Sequence, residues 1–379
     1  MINNCGLYVH IPFCLSKCVY CDFVSYTGRE NLFEPYVGAL IKEIKHRAPR
    51  FSGRVFDTVY FGGGTPTLLP SALTADIMSA IKDNFAVAAD AEITTEANPA
   101  TIDGKKTEVY LNAGFNRVSV GMQSADDKTL AFLGRAHNAR QFEETVKTLK
   151  TAGFDNINAD FMLGLPGQTQ AAVGETVDYL DRLGVRHISA YSLILEKGTP
   201  LYSDVKKGKT VLPDDDFTVD LYDAFFRAAL RAGFGRYEVS NFAKKGYECR
   251  HNLNCWKYSD YLGLGASAHS FFGWRRCFNV KSLEKYIQKA SSTGNAISDG
   301  RKIPKRERMF EYIMLSLRTA DGLDAADFAD RFGEDFFELY GNIIKRLVSG
   351  GCVAADDGGI RIREDKFYIL NSIITEFII

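Results

Sequence analysis

Three cysteines crowd a short stretch near the start of the chain, YVHIPFCLSKCVYCDF: Cys14, Cys18 and Cys21. Thiolates at such spacing suit metal ligation, but cysteine metal sites usually supply four ligands. A zinc site would need a companion pair, and Cys249, His251 and Cys255, in a remote segment, are a poor match for one. A ferredoxin-like site would give a [4Fe–4S] cluster four thiolates. Three thiolates fix three irons and leave the fourth open to chelate a small ligand, which is a reason to stop at three. Pro12, Phe13, Val19, Tyr20 and Phe23 supply apolar walls for such a loop. The competing reading is a chance cluster of reduced thiols. The other five cysteines, Cys5, Cys249, Cys255, Cys277 and Cys352, are scattered and read singly as small core residues.

These residues must be held by a framework, and the first two thirds of the chain has a repetitive one. β-rich runs at 7–11, 58–62, 92–97, 117–122, 157–163 and 188–194 alternate with helical runs, among them Ser71 to Asn84, Ala139 to Ala152 and Gln170 to Leu183. Gly114, Gly153 and Gly184 follow helical runs at positions suited to C-caps. Strand–helix alternation predicts a parallel sheet with crossover helices, either open or curled into part of a barrel. In both, sites form beyond the strand C-termini. The chemistry-bearing motifs fall there: the cysteines after the first strand, GGGTPT after the second, EANP, GMQS and GLPGQT at the next three.

Residues 205–300 are less regular, with a helix beginning near Pro213 to Asp216 and a short strand at 237–242. From Arg301 the pattern changes to three helices, at 305–319, 325–332 and 335–349, and a hairpin at 352–364 turning at Asp357-Gly358-Gly359. Three helices and a hairpin suggest a winged-helix-like domain. The expected division is 1–205, 206–300 and 301–379. The last segment carries 12 Lys and Arg against 14 Asp and Glu, so nucleic-acid binding is disfavoured. With 46% hydrophobic and 25% charged residues and a net charge of −1, the chain reads as globular, without bulk attraction to polyanions. No leader pattern and no stable membrane insertion are expected, which implies a cytoplasmic protein with reduced, ligand-ready cysteines.

The C-x3-C-x2-C spacing, with aromatic Tyr20 before the last cysteine, resembles the radical S-adenosylmethionine (SAM) superfamily. The resemblance implies an α/β fold with a partial (β/α)6 barrel, matching the six units above. It implies a [4Fe–4S] cluster on Cys14, Cys18 and Cys21, with SAM chelating the open iron and a deoxyadenosyl radical within reach of the chemistry. Gly63, Gly64 and Thr65 in YFGGGTPT resemble the segment that holds the SAM amino group. Glu96, Gln123, Arg135 and Asp160 match positions lining the family's SAM pocket, Tyr8 matches a tyrosine that contacts SAM, and Tyr20 sits in the cluster loop. Taken alone, Glu96 reads as a helix-start carboxylate, and Arg135 and Asp160 as a solvated pair.

GLPGQT, RHNLNCW and DYLGLGASAHSF narrow the resemblance to the oxygen-independent coproporphyrinogen III dehydrogenase group, over nearly the whole chain. The dehydrogenase branch reads C-x3-C-x2-C-x-C and carries an N-terminal arm. Here Phe23 replaces the fourth cysteine, and cysteines that begin at residue 14 leave no room for the arm. Both features point to the heme-chaperone branch, whose HNxxYW signature appears as His251-Asn252…Cys255-Trp256, with cysteine in place of tyrosine. The implied function is binding heme and passing it to an acceptor protein, with an electron donor for the cluster; the alternative is radical decarboxylation of coproporphyrinogen III. His251, Cys255 and His269 are the heme candidates. The alternative reading makes His251 a hydrogen-bonded loop residue and His269 a wall of the SAM pocket.

Overall fold

Six β-rich runs become six parallel strands in the computed structural model, which describes residues 5–378: β1 (Cys5–Ile11), β2 (Val55–Gly63), β3 (Ala86–Ala97), β4 (Arg117–Gln123), β5 (Asn156–Leu163) and β6 (His187–Ser192). Each is followed by a helix: Phe33–Arg47, Ser71–Asn84, Gly104–Ala113, Ala139–Ala152, Gln170–Arg182 and Asp215–Arg231. The caps explain the boundaries. Asn138 and Gln141 form a reciprocal capping box, Thr169 and Asp214 cap their helices through side-chain oxygens, and left-handed glycines 114 and 153 end the helices before them.

β1 to β6 pair in sequence order, all parallel. Right-handed crossovers taken always in one direction put every helix on the same side, so the sheet must curl around its other face. Closure is partial: β1 pairs with β9 (Asp260–Leu264), and β6 with a hairpin of β7 (Gly235–Arg236) and β8 (Asn241–Ala243). β10 (His269–Phe272), β11 (Arg275–Asn279) and β12 (Ile297–Lys302) extend the β9 edge, giving twelve strands. The partial (β/α)6 barrel is therefore present. The strand expected at 237–242 is instead the turn and second arm of the β7–β8 hairpin.

Strand pleating sorts the side chains. On β4, Val118, Val120 and Met122 join the apolar core, while Arg117, Ser119, Gly121 and Gln123 alternate with them. β5 repeats the pattern, with Ile157, Ala159 and Phe161 in the core and Asn158 and Asp160 between them. The barrel interior is thus a column of polar groups inside an apolar shell.

A second apolar core is separate. It gathers Tyr312, Phe328, Phe332, Phe336, Tyr340 and Phe377 from the helices Lys305–Ser316, Ala325–Phe332 and Phe336–Ser349 and the chain end. β13 (Leu323–Asp324), β15 (Gly359–Ile362) and β14 (Val353–Asp356) form its three-stranded sheet, as a winged-helix-like unit requires. No helix among the described residues is long and apolar enough to cross a membrane. Residues 1–4, on which part of the leader-free expectation rests, lie outside the described residues.

Candidate functional site

The C-terminal ends of β1 to β6 open on one cavity of about 640 Å³. Its wall includes Cys14, Cys18, Tyr20 and Cys21 from the loop after β1, Gly63, Gly64 and Thr65 after β2, and Glu96, Gln123, Arg135 and Asp160. Of the residues expected here, Tyr8 alone does not line it.

The cysteine loop is pinned by backbone bonds. Cys14 N–H donates to Tyr26 O (2.9 Å), Tyr26 N–H to Pro12 O (2.7 Å), and Val19 N–H to Leu133 O (3.2 Å). Gly64 N–H and Thr65 N–H donate to Ile11 O and Phe13 O (2.9 and 2.7 Å), and Gly63 N–H to Glu96 Oε2 (3.1 Å). A Cβ on Gly64 would lie 2.6 Å from Phe13 O, so only glycine permits this approach. The donors of the turn are all committed within the protein. What the turn has left to offer a ligand is carbonyl oxygen, which suits an ammonium group.

The cavity is acidic on one side and basic on another. Burial, and then the neighbouring Asp160 charge, push the Glu96 carboxyl up to about 7, although Tyr60 O–H (2.9 Å) and Gly63 N–H donate to it. Burial also raises Asp160, against bonds from Asn158 (2.7 Å) and Ser119 (3.3 Å). Two carboxyl groups short of positive charge suit a cationic ligand. Arg135 donates to Gly121 O (2.8 Å) and weakly to Cys18 Sγ (3.6 Å), and its buried Nε has no partner among the described residues. Arg135 and Asp160 are therefore cavity groups and not a solvated pair, and Glu96 is not a cap, since Asn98 caps the following turn. Gln123 sits at φ +65, at a break in β4–β5 register, and accepts from Tyr191 O–H at 2.7 Å. A glutamine held left-handed by the surrounding packing is strain of the kind that collects at binding sites. Three thiols, acidic and basic groups and an uncommitted guanidinium nitrogen fit a thiolate-held cluster beside a ligand carrying positive charge and a carboxylate.

A second cavity, of about 410 Å³, adjoins the first and shares Asp22 and Phe23 with it. His251, Cys255 and His269 all line it, with Tyr8, His10 and Tyr261. Tyr8 O–H bonds His10 Nδ1 (3.0 Å), and His10 Nε2 bonds Val24 O (3.0 Å), tying β1 to the cysteine loop. His251 is buried, and burial holds its imidazole down to about 4, so it is neutral at pH 7. Burial pushes the Cys255 thiol up to about 11, which keeps its proton at neutral pH. His269 is exposed at the rim, stacked on Phe278, and walls this cavity and not the cysteine cavity.

A buried polar chain runs between the cavities through the barrel interior. Asn158 spends both amide hydrogens, on Ser119 Oγ and Asp160, so its oxygen accepts from His187 Nδ1–H (2.6 Å). His187 Nε2 must then accept from Tyr237 O–H (2.8 Å), which accepts Cys249 N–H (3.2 Å). Cys249 S–H donates to Glu92 (3.4 Å), whose carboxylate also takes Arg250 N–H and His251 N–H (2.9 and 3.1 Å). Arg117, 2% exposed, sits among these groups.

Sequence reasoning missed Tyr191 near the end of β6, Leu193 and Ile194 beyond it, and His10 and Tyr261 in the second cavity. A signal existed for His10, two residues from Tyr8 on one strand and so on the same face. Leu15, Phe23 and Ile194 leave large apolar surfaces exposed on the first cavity's wall.

Comparison with known proteins agrees with this geometry. Residues 8–180 match the Radical SAM superfamily and 303–364 the HemN C-terminal domain. A Bacillus subtilis protein named heme chaperone HemW is 31% identical, with 98% of each chain covered. The Escherichia coli heme chaperone HemW is 33% identical, with 85% of each chain covered. The structure of Escherichia coli coproporphyrinogen III oxidase (HemN), described as a radical SAM enzyme, superposes with a TM-score of 0.87 at 26% identity, covering 99% of this chain and 90% of that one.

Proposed function

Because this chain belongs to the HemW family within the radical SAM superfamily, we propose that it binds heme beside a SAM-chelated [4Fe–4S] cluster and passes the heme to an acceptor protein. The superfamily implies the cluster and SAM, and the relatives' shared name supplies the heme. The observation that carries the reading to this chain is the pair of adjoining cavities. One gathers the three thiols, and the other gathers His251, Cys255 and His269.

In this reading Cys14, Cys18 and Cys21 hold the cluster. Carbonyls of the Gly63–Thr65 turn and the carboxyl of Glu96 bind the amino group of SAM, Arg135 its carboxylate, and Asp160 and Gln123 its remaining polar groups. Tyr20 closes the cluster loop, and Tyr8 acts from the second cavity by holding His10. The bound cluster and SAM would supply one-electron chemistry at the iron that carries no cysteine. His251 presents a neutral imidazole to heme iron, the form a metal requires. Cys255 and His269 line the same approach. In this reading residues 1–205 hold the cluster and SAM, 206–300 bring the heme-facing side chains, and 301–379 supply most of a second core that also takes in Tyr258 and Phe271.

Anaerobic titration of cluster-reconstituted protein with ferric heme tests this. A Soret band that saturates at micromolar protein and moves in His251→Ala is the expected result. Absence of saturable binding overturns it. The likeness to coproporphyrinogen III oxidase over the full chain favours one rival, oxidative decarboxylation of coproporphyrinogen III. An anaerobic assay with SAM and an electron donor separates the two, since substantial protoporphyrinogen formation would reverse the ranking.

A further inference from the structure

The polar chain inside the barrel has a direction, and one end of it is a backbone N–H, which can only donate. Cys249 N–H gives its hydrogen to the Tyr237 oxygen (3.2 Å), whose own proton goes to its other partner, His187 Nε2 (2.8 Å). His187 is wholly buried on β6, and both ring nitrogens are engaged. With Nε2 accepting, the ring proton sits on Nδ1 and is donated to Asn158 Oδ1 (2.6 Å), which Ser189 O–H also reaches (3.2 Å). The Asn158 amide is thereby turned with its N–H groups toward Ser119 Oγ (2.6 Å) and Asp160 Oδ1 (2.7 Å). Ser119 O–H donates to the same Asp160 oxygen (3.3 Å). Every donor in this run has an acceptor, and the last group, Asp160, is an acceptor only.

Reversing the run breaks that balance. A flipped Asn158 would set its oxygen against Ser119 and Asp160, which could stand only with a proton on Asp160. His187 would then carry its proton on Nε2, and Tyr237 O–H would lose its only acceptor among the described residues. A second ring proton gives no way out, because burial, and then the Arg117 charge, hold His187 well below the ordinary histidine range. Asp160 lines the first cavity, where burial raises its carboxyl against the bonds from Asn158, Ser119 and Ser189 and the charge of Arg117. Tyr60, Glu96 and Tyr191 are further titratable groups that interact with it.

From this geometry we infer that His187 is a positioning residue: oriented by Tyr237, it turns the Asn158 amide so that Asp160 meets the first cavity as a carboxylate, an acceptor for a hydroxyl or ammonium donor of the bound ligand. The inference rests on the SAM reading for the ligand and not for the hydrogen-bond directions, so the two can fail separately.

Long-range proton–nitrogen correlation of ligand-free protein labelled with 15N-histidine reads the tautomer at about pH 7.5, the His187 signals being those absent from His187→Gln. Nδ1–H is expected, and an Nε2–H or doubly protonated ring overturns the inference. Equilibrium dialysis of SAM against cluster-reconstituted protein, from about pH 6 to 8.5, reads the consequence. Asp160→Asn should weaken binding about tenfold. Tyr237→Phe, compared at equal iron content, should weaken it severalfold, and its loss of binding on acidification should begin at higher pH, because Asp160 then takes up a proton more readily. His187→Leu should behave alike. His187→Gln, whose amide can donate to Asn158 and accept from Tyr237, should keep the parent's pH profile. Profiles of Tyr237→Phe and His187→Leu that both coincide with the parent's overturn the positioning role, provided Asp160→Asn weakens binding. If Asp160→Asn binds SAM as the parent does, Asp160 is not a SAM contact and the ligand part of the inference falls, while the tautomer spectrum decides the direction of the chain.

Discussion

At the residue scale, the barrel's interior groups stand in charge states set by burial, and stability should follow pH accordingly. Glu96 titrates near 4.5 when unfolded and about 7 when folded. Its folded-state pKa is raised, so its contribution is full below pH 4.5 and is lost as pH rises through 7. Glu96→Gln removes that penalty. The ligand-free variant should be more stable than its parent by about 1–2 kcal/mol at pH 8, and no more stable at pH 4.5, by thermal melting. The same change should weaken SAM binding in equilibrium dialysis. The histidines act in the opposite sense. His137 and His251 are both held near 4 in the folded chain, against an ordinary 6.5. Their contribution is full above pH 6.5 and falls as pH drops through 4, by about 2–3 kcal/mol each. The melting temperature of metal-free protein should fall across that window, and less steeply in His137→Gln.

At the scale of elements, what matters is how the strand ends grip the loops beyond them. Gly64→Val would drive Cγ atoms toward the Phe13 carbonyl, which already accepts from Thr65 N–H. The cysteine loop should then be displaced, and iron bound after anaerobic reconstitution should drop from about four per chain to below one. The polar chain inside the barrel makes a second test. Tyr237→Phe removes the hydroxyl between His187 and the Cys249 amide, leaving a buried donor and a buried acceptor unmatched. Its expected cost is about 1–3 kcal/mol in urea unfolding, with the secondary structure retained by circular dichroism.

At the scale of the whole molecule, polar contacts join the regions of the two apolar cores, among them Arg236–Glu364 and Ala320 N–H to Tyr237 O, and one is especially well made. Arg276 of β11 pairs bidentately with Glu311, at 2.9 Å for each bond, and Tyr258 O–H donates to the same carboxylate. Tyr258 and Phe271, from the barrel side, stack at 4.6 Å and belong to the C-terminal core. Glu311→Ala should cost about 1–3 kcal/mol, since Arg276 is partly open to water. Hydrogen exchange should show the loss chiefly as faster exchange in the helices from Lys305 onward, while β1 to β6 remain protected.

Much of this was legible without coordinates because strands impose a period of two and helices end on recognisable caps. The six barrel strands, the glycines that end helices, the helix start near Asp214 and the placing of Cys14, Gly63, Glu96, Gln123 and Asp160 toward strand ends follow from local pattern, whereas the Asn138–Gln141 box and the Thr169 cap were seen only in the structure. The edge strands β9 to β12 did not, because they are only four to six residues long and the first of them is placed by pairing with β1, at the other end of the barrel sequence. Nor did the hairpin at 235–243, whose turn mimics an extended run. The chain alone pointed to the candidate residues that line the cavity and to a parallel sheet that brings their loops to one end. Only tertiary structure decided that Tyr8 and His269 belong with His251 in a separate cavity, that burial raises Glu96 and Asp160 despite the Arg117 charge near both, and that Thr58 meets the imidazole from 193 residues away. Those are matters of long-range contact and of burial, which local periodicity does not encode.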